Sequence, residues 1–332
     1  MRMPSYLSPS QISLWDSNRD EYYLQHLANV RVERIPQAIY MAIGSAFDAY
    51  VKAALHGAIF GEGANPEYEF EALFESQVEP QNRDWGRVNG QYVFQCYQQC
   101  GAYNELLKLL KESSYAPQFE FKITGTVNEV PLLGKPDLRF VHAGGAHVIL
   151  DWKCNGYCSK SATSPCKNYR LVRDTWDETI AKPSRGANQS HKNYTPIQWK
   201  GVEIHSGWLE ESSEDWANQL AIYSWMLGEE LGAEEVIVCI DQIVAKPRDT
   251  GTPLLRVANH RARISKVHQD NLIARLESCW KAITTGHIFT DLSLEDSQSR
   301  CQLLESQAAM THSEDELQRY LNNLGRSTGY KR

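Results

Sequence analysis

From Gly134 to Lys153 the chain reads Gly-Lys-Pro-Asp-Leu-Arg-Phe-Val-His-Ala-Gly-Gly-Ala-His-Val-Ile-Leu-Asp-Trp-Lys, two strand-like segments around an Ala-Gly-Gly-Ala turn. This alternation about a double glycine predicts a β-hairpin. Asp137 and Asp151 are equally distant from Gly144, so pairing about the turn sets them nearly opposite each other, with both carboxylates on one face. Lys153 is two residues beyond Asp151 and projects to that same face, whereas Leu150 and Trp152 project to the other and can pack a core. Like charges opposed on neighbouring strands destabilise a sheet unless a cation offsets them. The chain must therefore build a sheet around this hairpin and supply a cation to one of its faces.

A divalent metal is the natural cation. Oxygen ligands without clustered His or Cys select Mg2+ or Mn2+, which take carboxylates, waters and substrate phosphate. That donor set points to phosphodiester chemistry, with Lys153 orienting or deprotonating a water and offsetting developing negative charge. The plainer alternative is a surface ion pair between Asp151 and Lys153. Gln219 and Tyr223 stand i, i+4 on an otherwise apolar helix in Asn-Gln-Leu-Ala-Ile-Tyr-Ser-Trp-Met-Leu, an amide and a phenol presented together; alternatively they are a boundary Gln and a core Tyr. Asp48 borders the Ile43, Phe47, Val51 stripe one turn after Gly44, which would let another backbone approach; a carboxylate there is either a ligand or a partly exposed acid. Glu120 alternates with Phe119 and Phe121; it either adds a carboxylate near the site or, as the pattern favours, takes an exposed strand position.

Around these residues, Ser8-Pro9-Ser10-Gln11 supplies a capping hydroxyl, a first-turn Pro and a capping-box Gln, so a helix starts there. Further helices are predicted over about 38–55 and 88–110, and alternation past Pro117 predicts strands of a mostly antiparallel sheet. A helix over about 214–231, strands near 236–244 and 254–264, and helices over about 266–285 and 296–324 follow. We read 1–332 as a single domain: a helical part over 8–112, a catalytic core over 117–265 with an insertion over 156–207, and C-terminal helices over 266–332. The insertion exceeds ordinary loop length and is therefore either functional or mobile.

The net charge of -7 argues against indiscriminate polyanion binding. From Lys153 to Lys200, however, nine Lys and Arg face three acids, with Tyr157, Tyr169, Trp176, Tyr194 and Trp199 interleaved. This mixture suits phosphate contacts with base or sugar stacking, and a solvated loop is the alternative. Lys160, Lys167 and Arg170 are its candidate DNA contacts. Eight cysteines without regular spacing imply reduced thiols; Cys154, Cys158 and Cys166, with His191 downstream, have a weak zinc-like spacing and are read as free thiols. No run of apolar residues is long enough to span a membrane and the N-terminal residues lack the apolar core of a signal peptide, so a cytoplasmic protein is expected, with no membrane partner.

Gly-x-Pro-Asp, then Asp-x-Lys, then Gln-x-x-x-Tyr, together with the Ser-Pro-Ser-Gln-Ile-Ser-Leu-Trp helix and the Gly44 to Asp48 segment, resembles the PD-(D/E)XK nuclease superfamily, in its RecB-like exonuclease branch, over residues 8 to 245. The resemblance implies an α/β, restriction-endonuclease-like fold with a central mixed sheet flanked by helices. It also implies Asp137 and Asp151 as Mg2+ or Mn2+ ligands, the Trp152 carbonyl as a third, Lys153 as the catalytic lysine, and Gln219 and Tyr223 lining the active site. Asp48 stands where many relatives place His and is assigned as a metal ligand by analogy. The early helix reads Ser17-Asn18-Arg19 and the late region offers only Cys279 and Cys301, so no iron-sulfur cluster is expected. The implied activity is Mg2+-dependent hydrolysis of DNA, as an exonuclease on linear DNA in recombination, repair or phage replication. A recombination or replication partner protein and a homo-oligomer enter by the same analogy, and no residue specifies either. The alternatives are a DNA-binding or scaffold protein of the same fold that has lost turnover, and a zinc-stabilised binding module.

Overall fold

The computed structural model describes residues 1–29, 36–155, 168–174, 194–228, 236–246 and 254–309. Helix α1 (Pro9–Ser17) begins at the expected capping box, in which Ser8 accepts from the Gln11 N–H and donates its own N–H to the Gln11 side chain. Asn18 caps α2 (Arg19–Tyr22), which a turn of π-helix, Tyr23–Leu27, extends. Helix α3 (Met41–Phe60) is followed by a short α4 (Phe70–Gln77), which the sequence pattern did not suggest. The helix expected over about 88–110 is two, α5 (Arg83–Gln99) and α6 (Ala102–Lys111). The break is at Gly101, whose φ of 93° ends a helix at little steric cost.

Strands β1 (Gln118–Phe119), β2 (Ile123–Val127), β3 (Val130–Gly134), β4 (Leu138–Val141) and β5 (His147–Asn155) come next. Then follow β6 (Arg170–Asp174), β7 (Pro196–Trp199) and β8 (Val202–His205), strands set within what the sequence presented as one irregular insertion. Helix α7 (Glu214–Met226), strands β9 (Val236–Lys246) and β10 (Leu254–Ala262), and helices α8 (Lys266–Thr285) and α9 (Leu294–Ala309) complete the described chain. The last expected helix extends past residue 309, outside the described residues.

The fold is α/β, with a six-stranded mixed sheet in the order β1-β4-β5-β9-β10-β6 flanked by helices, and with a helical N-terminal region. The sheet is mostly antiparallel, and its parallel pair, β5 with β9, is what makes it mixed. Parallel neighbours need a crossover, and α7 lies in the connection between these two. Ribbons β2–β3 and β7–β8 stand apart from this sheet.

The two faces of β5 are buried differently. Leu150 and Trp152 join Ile43, Phe47 and Val51 of α3 and Val93 and Tyr97 of α5 in the largest apolar cluster. Ile149, on the opposite face, packs with Leu220 and Tyr223 of α7 and Ile240 of β9. A third cluster joins α1 and α2 to α8 and α9. Among the described residues, no helix is long and apolar enough to cross a membrane.

Candidate active site

The β4–β5 hairpin forms in the expected register: Leu138 pairs with Leu150 and Val141 with His147, which sets Asp137 and Asp151 at the next opposed positions. Lys153 Nζ stands 2.5 Å from Asp151 Oδ2 and donates to Gln219 Oε1 at 3.0 Å. The Gln219 amide donates in turn to Asp151 Oδ1 at 2.9 Å and to the Tyr223 hydroxyl at 3.1 Å. One side chain of α7 thus ties the lysine, the aspartate and the phenol together, which the i, i+4 spacing of Gln219 and Tyr223 permits. The Trp152 backbone N–H donates to Asp137 Oδ2 at 3.1 Å, while its indole is buried on the other face and donates to the Tyr97 hydroxyl at 3.4 Å.

Sequence reasoning missed Lys52. Its side chain is 1% exposed, and Nζ lies 2.5 Å from Asp48 Oδ2, 3.0 Å from Glu120 Oε2 and 2.9 Å from Asp137 Oδ1. The available signal was the i, i+4 spacing of Asp48 and Lys52, which on an amphipathic helix usually marks a solvated pair. Glu120 corrects the expectation of an exposed strand position. Strand β1 ends at Phe119, and Glu120 adopts φ 38°, which takes it out of the strand alternation. Its carboxylate meets Lys52, Gln77 Nε2 at 2.6 Å, and Lys135. Gly44 is likewise not a point of close backbone approach, since a Cβ there would find ordinary contact with Cys154.

The electrostatics follow from four carboxylates, those of Asp48, Glu120, Asp137 and Asp151, gathered around two buried or half-buried lysines. Burial, reinforced by Asp137, raises the Asp151 carboxyl to about 7. Burial also raises Asp48 to about 7 against the pull of Lys52. For Asp137 burial is outweighed by Lys52, Lys153 and the Trp152 N–H, and its carboxyl is lowered. Burial lowers the Lys153 ammonium, but Asp151 and Asp137 outweigh it and the net shift is upward. In the metal-free site Lys153 is therefore held as a cation. Burial and then Asp151 raise the Tyr223 phenol, which stays protonated.

Among the described residues, no three His, Cys, Asp or Glu side chains already stand in the arrangement of a metal-binding group. The donor chemistry nevertheless fits a hard divalent cation. The cluster is rich in carboxylate oxygen, and Asp48 Oδ1 is a buried atom that accepts no hydrogen bond. Asp151 Oδ2, buried likewise, is met by the Lys153 ammonium at 2.5 Å.

Beside this cluster opens a cleft of about 580 Å³, lined by the start of α1 at Ser8 and Ser10, by Lys135 and Lys153, and by Trp216 and Tyr223. Gly134 allows its wall to close: a Cβ there would overlap the Met226 side chain and lie 2.7 Å from the Tyr223 ring. Gly134→Ala is expected to push Tyr223 from Gln219 and to cost about 1–3 kcal/mol by overpacking, measured by denaturant unfolding. Unchanged stability would show that the wall gives way freely.

The basic segment is only partly placed. Lys160 and Lys167 lie outside the described residues, as do Cys158, Cys166, His191, Tyr157 and Trp176. Arg170 donates to both Glu105 carboxylate oxygens at 2.5 Å and to Asn259 at 2.6 Å, a half-buried ion pair between β6 and α6. Tyr169 is fully buried, Tyr194 donates to Glu203 at 3.4 Å, and Trp199 packs under the Arg263 guanidinium at 4.4 Å. These aromatic groups are engaged within the fold. The six described cysteines, including Cys154, are free thiols.

No family model matches the chain, and no curated protein matches it. Among solved structures, it is similar to one described as a "Putative exonuclease" from Eubacterium rectale, at 14% identity over 86% of this chain and 88% of that one, with a TM-score of 0.40. It is also similar to a protein named SSO0001, at 9% identity over 82% and 84% of the two chains, with a TM-score of 0.24. Both likenesses are too distant to bear on the chemistry.

Proposed function

We propose that this protein is a metal-dependent nuclease that hydrolyses phosphodiester bonds in DNA, as an exonuclease on linear DNA. The observation that carries the reading is the meeting of Asp137, Asp151, Lys153 and Gln219 beside an open cleft, in a cluster with more buried carboxylate than the protein itself neutralises. Asp48, Asp137 and Asp151, with the Trp152 carbonyl, would hold Mg2+ or Mn2+. When bound, such an ion polarises phosphate and lowers the pKa of water. Gln219 holds Asp151 in place and orients Lys153. Lys153, as an ammonium, faces the cleft and offsets negative charge gathering on the phosphate as water adds to phosphorus and the leaving oxygen takes up a proton. The protonated Tyr223 hydroxyl braces Gln219 from the far side. The preference for an exonuclease, and for DNA, rests on the sequence resemblance.

A time course on linear duplex, linear single-stranded and closed circular DNA, with Mg2+, Mn2+ or EDTA and beside Asp151→Ala, tests this reading. Metal-dependent loss of linear DNA alone, absent in the variant, is the expected result. Cutting of circles would make the protein an endonuclease, and intact binding with no cleavage would make it a scaffold of the same fold. A second expectation concerns pH. Asp48 and Asp151 titrate at about 7, so protons occupy these ligands below that pH and a metal must displace them. Mn2+ affinity should therefore rise through neutrality, by up to about tenfold per pH unit for each proton displaced, and level off above it. Titration calorimetry at several pH values measures this, and an affinity flat with pH would remove these carboxylates from the ligand set.

A further inference from the structure

Lys52 is an internal cation enclosed by carboxylates from three parts of the fold. Its three N–H groups meet Asp48 on its own helix, Glu120 just after β1 and Asp137 just before β4, which uses the full donor capacity of an ammonium. A lysine buried to this degree is rare unless paired, because taking an ammonium out of water is costly unless close carboxylates offset it. We propose that Lys52 fills one of two cation positions in the acidic cluster, so that the centre takes a single divalent ion, on the side of Asp151. The inference rests on the metal-dependent reading above and sets its stoichiometry.

Charge and acceptor capacity agree on this. Once a metal has displaced any protons from Asp48 and Asp151, four carboxylates against the ammonium groups of Lys52 and Lys153 leave two negative charges, which one divalent ion balances. Lys135 reaches Glu120 only from the rim, with its side chain 55% exposed, where solvent screens it. Asp48 Oδ1 is left without a hydrogen bond, and Asp151 Oδ2, in a residue only 4% exposed, is met by Lys153, which unlike the enclosed Lys52 lines the open cleft and can turn outward. Paired metals in nucleases stand about 3.5–4 Å apart. A second ion among Asp48, Glu120 and Asp137 would have to displace an ammonium already in contact with all three.

The test counts ions. The full chain is titrated with Mn2+ by calorimetry and by the loss of free Mn2+ electron paramagnetic resonance signal, for wild type, Asp151→Asn, Lys52→Met and Lys52→Gln. The expected result is one Mn2+ per chain in wild type, loss of that ion in Asp151→Asn, and two per chain in the Lys52 variants. Because Lys52→Met leaves three acids without their counter-ion, a Lys52→Gln/Glu120→Gln double variant, which removes one charge of each sign, serves if the single variants do not fold. In every folded Lys52 variant, Mn2+ should raise the melting temperature more than it does for wild type. Two ions in wild type, or one ion at unchanged affinity in the Lys52 variants, would overturn the role of Lys52 and leave the nuclease reading standing. No Mn2+ bound to wild type at all would overturn the nuclease reading and this inference with it.

Discussion

Replacing Lys153 by methionine is expected to lower the rate of DNA cleavage by roughly 10²–10³-fold while binding of linear DNA persists. Methionine keeps an unbranched stem of similar length and removes the charge. In the native site the ammonium stands 2.5 Å from Asp151 Oδ2 and donates to Gln219, and the variant loses both interactions without emptying the volume. On the proposed reading the cationic form of Lys153, favoured by Asp151 and Asp137, would stabilise phosphate charge and organise the carboxylate. A general base would require the neutral amine, and its pH profile would climb towards the alkaline range. The expected profile for wild type has no such alkaline limb. Cleavage of linear DNA and binding measured separately, by gel and by anisotropy, decide the matter: a Lys153→Met enzyme cutting near the wild-type rate would dismiss the lysine from the chemistry.

Gly90→Val is expected to destabilise the fold by about 3 kcal/mol, the upper part of the range for overpacking a close contact. Gly90 faces Ala46 where α5 crosses α3; a Cβ there would overlap the Ala46 side chain and lie 3.0 Å from the Ala46 carbonyl carbon and the Phe47 nitrogen. Two of those atoms are backbone and cannot rotate away, so the helices must separate. The gain in helix propensity from removing a glycine, under about 1 kcal/mol, does not offset this. Since α3 also carries Asp48 and Lys52, the same change should loosen the contact of Lys52 with Asp137. Denaturant midpoints give the stability, and Mn2+ titration of the variant reads the site. Ala46→Gly should restore part of the loss; a Gly90→Val protein as stable as wild type would mean that the two helices are not held at this distance.

Local rules account for the parts of the site that lie close together in the chain. The opposed aspartates are legible because a hairpin about Gly144-Gly145 has few registers available, and Lys153 follows from the period of two. Gln219 and Tyr223 are legible because i, i+4 residues share a helix face. The same rules misplaced Glu120, where a residue with φ 38° interrupts the alternation on which the expectation depended. They were also silent on the pairing of Arg170 with Glu105, 65 positions away in sequence.

The amino-acid sequence by itself determined the hairpin and its two carboxylates, the capped first helix, the amide and phenol on one helical face, and the mixture of helix and strand, since each depends on periodicities of a few residues. Only the tertiary structure decided that β5 runs parallel to β9, because strand partners are chosen by long-range packing and crossover geometry. It alone decided that Lys52 is buried. No local pattern distinguishes a lysine on a solvated helix face from one that three carboxylates, brought from 4 to 85 residues away, enclose within the fold.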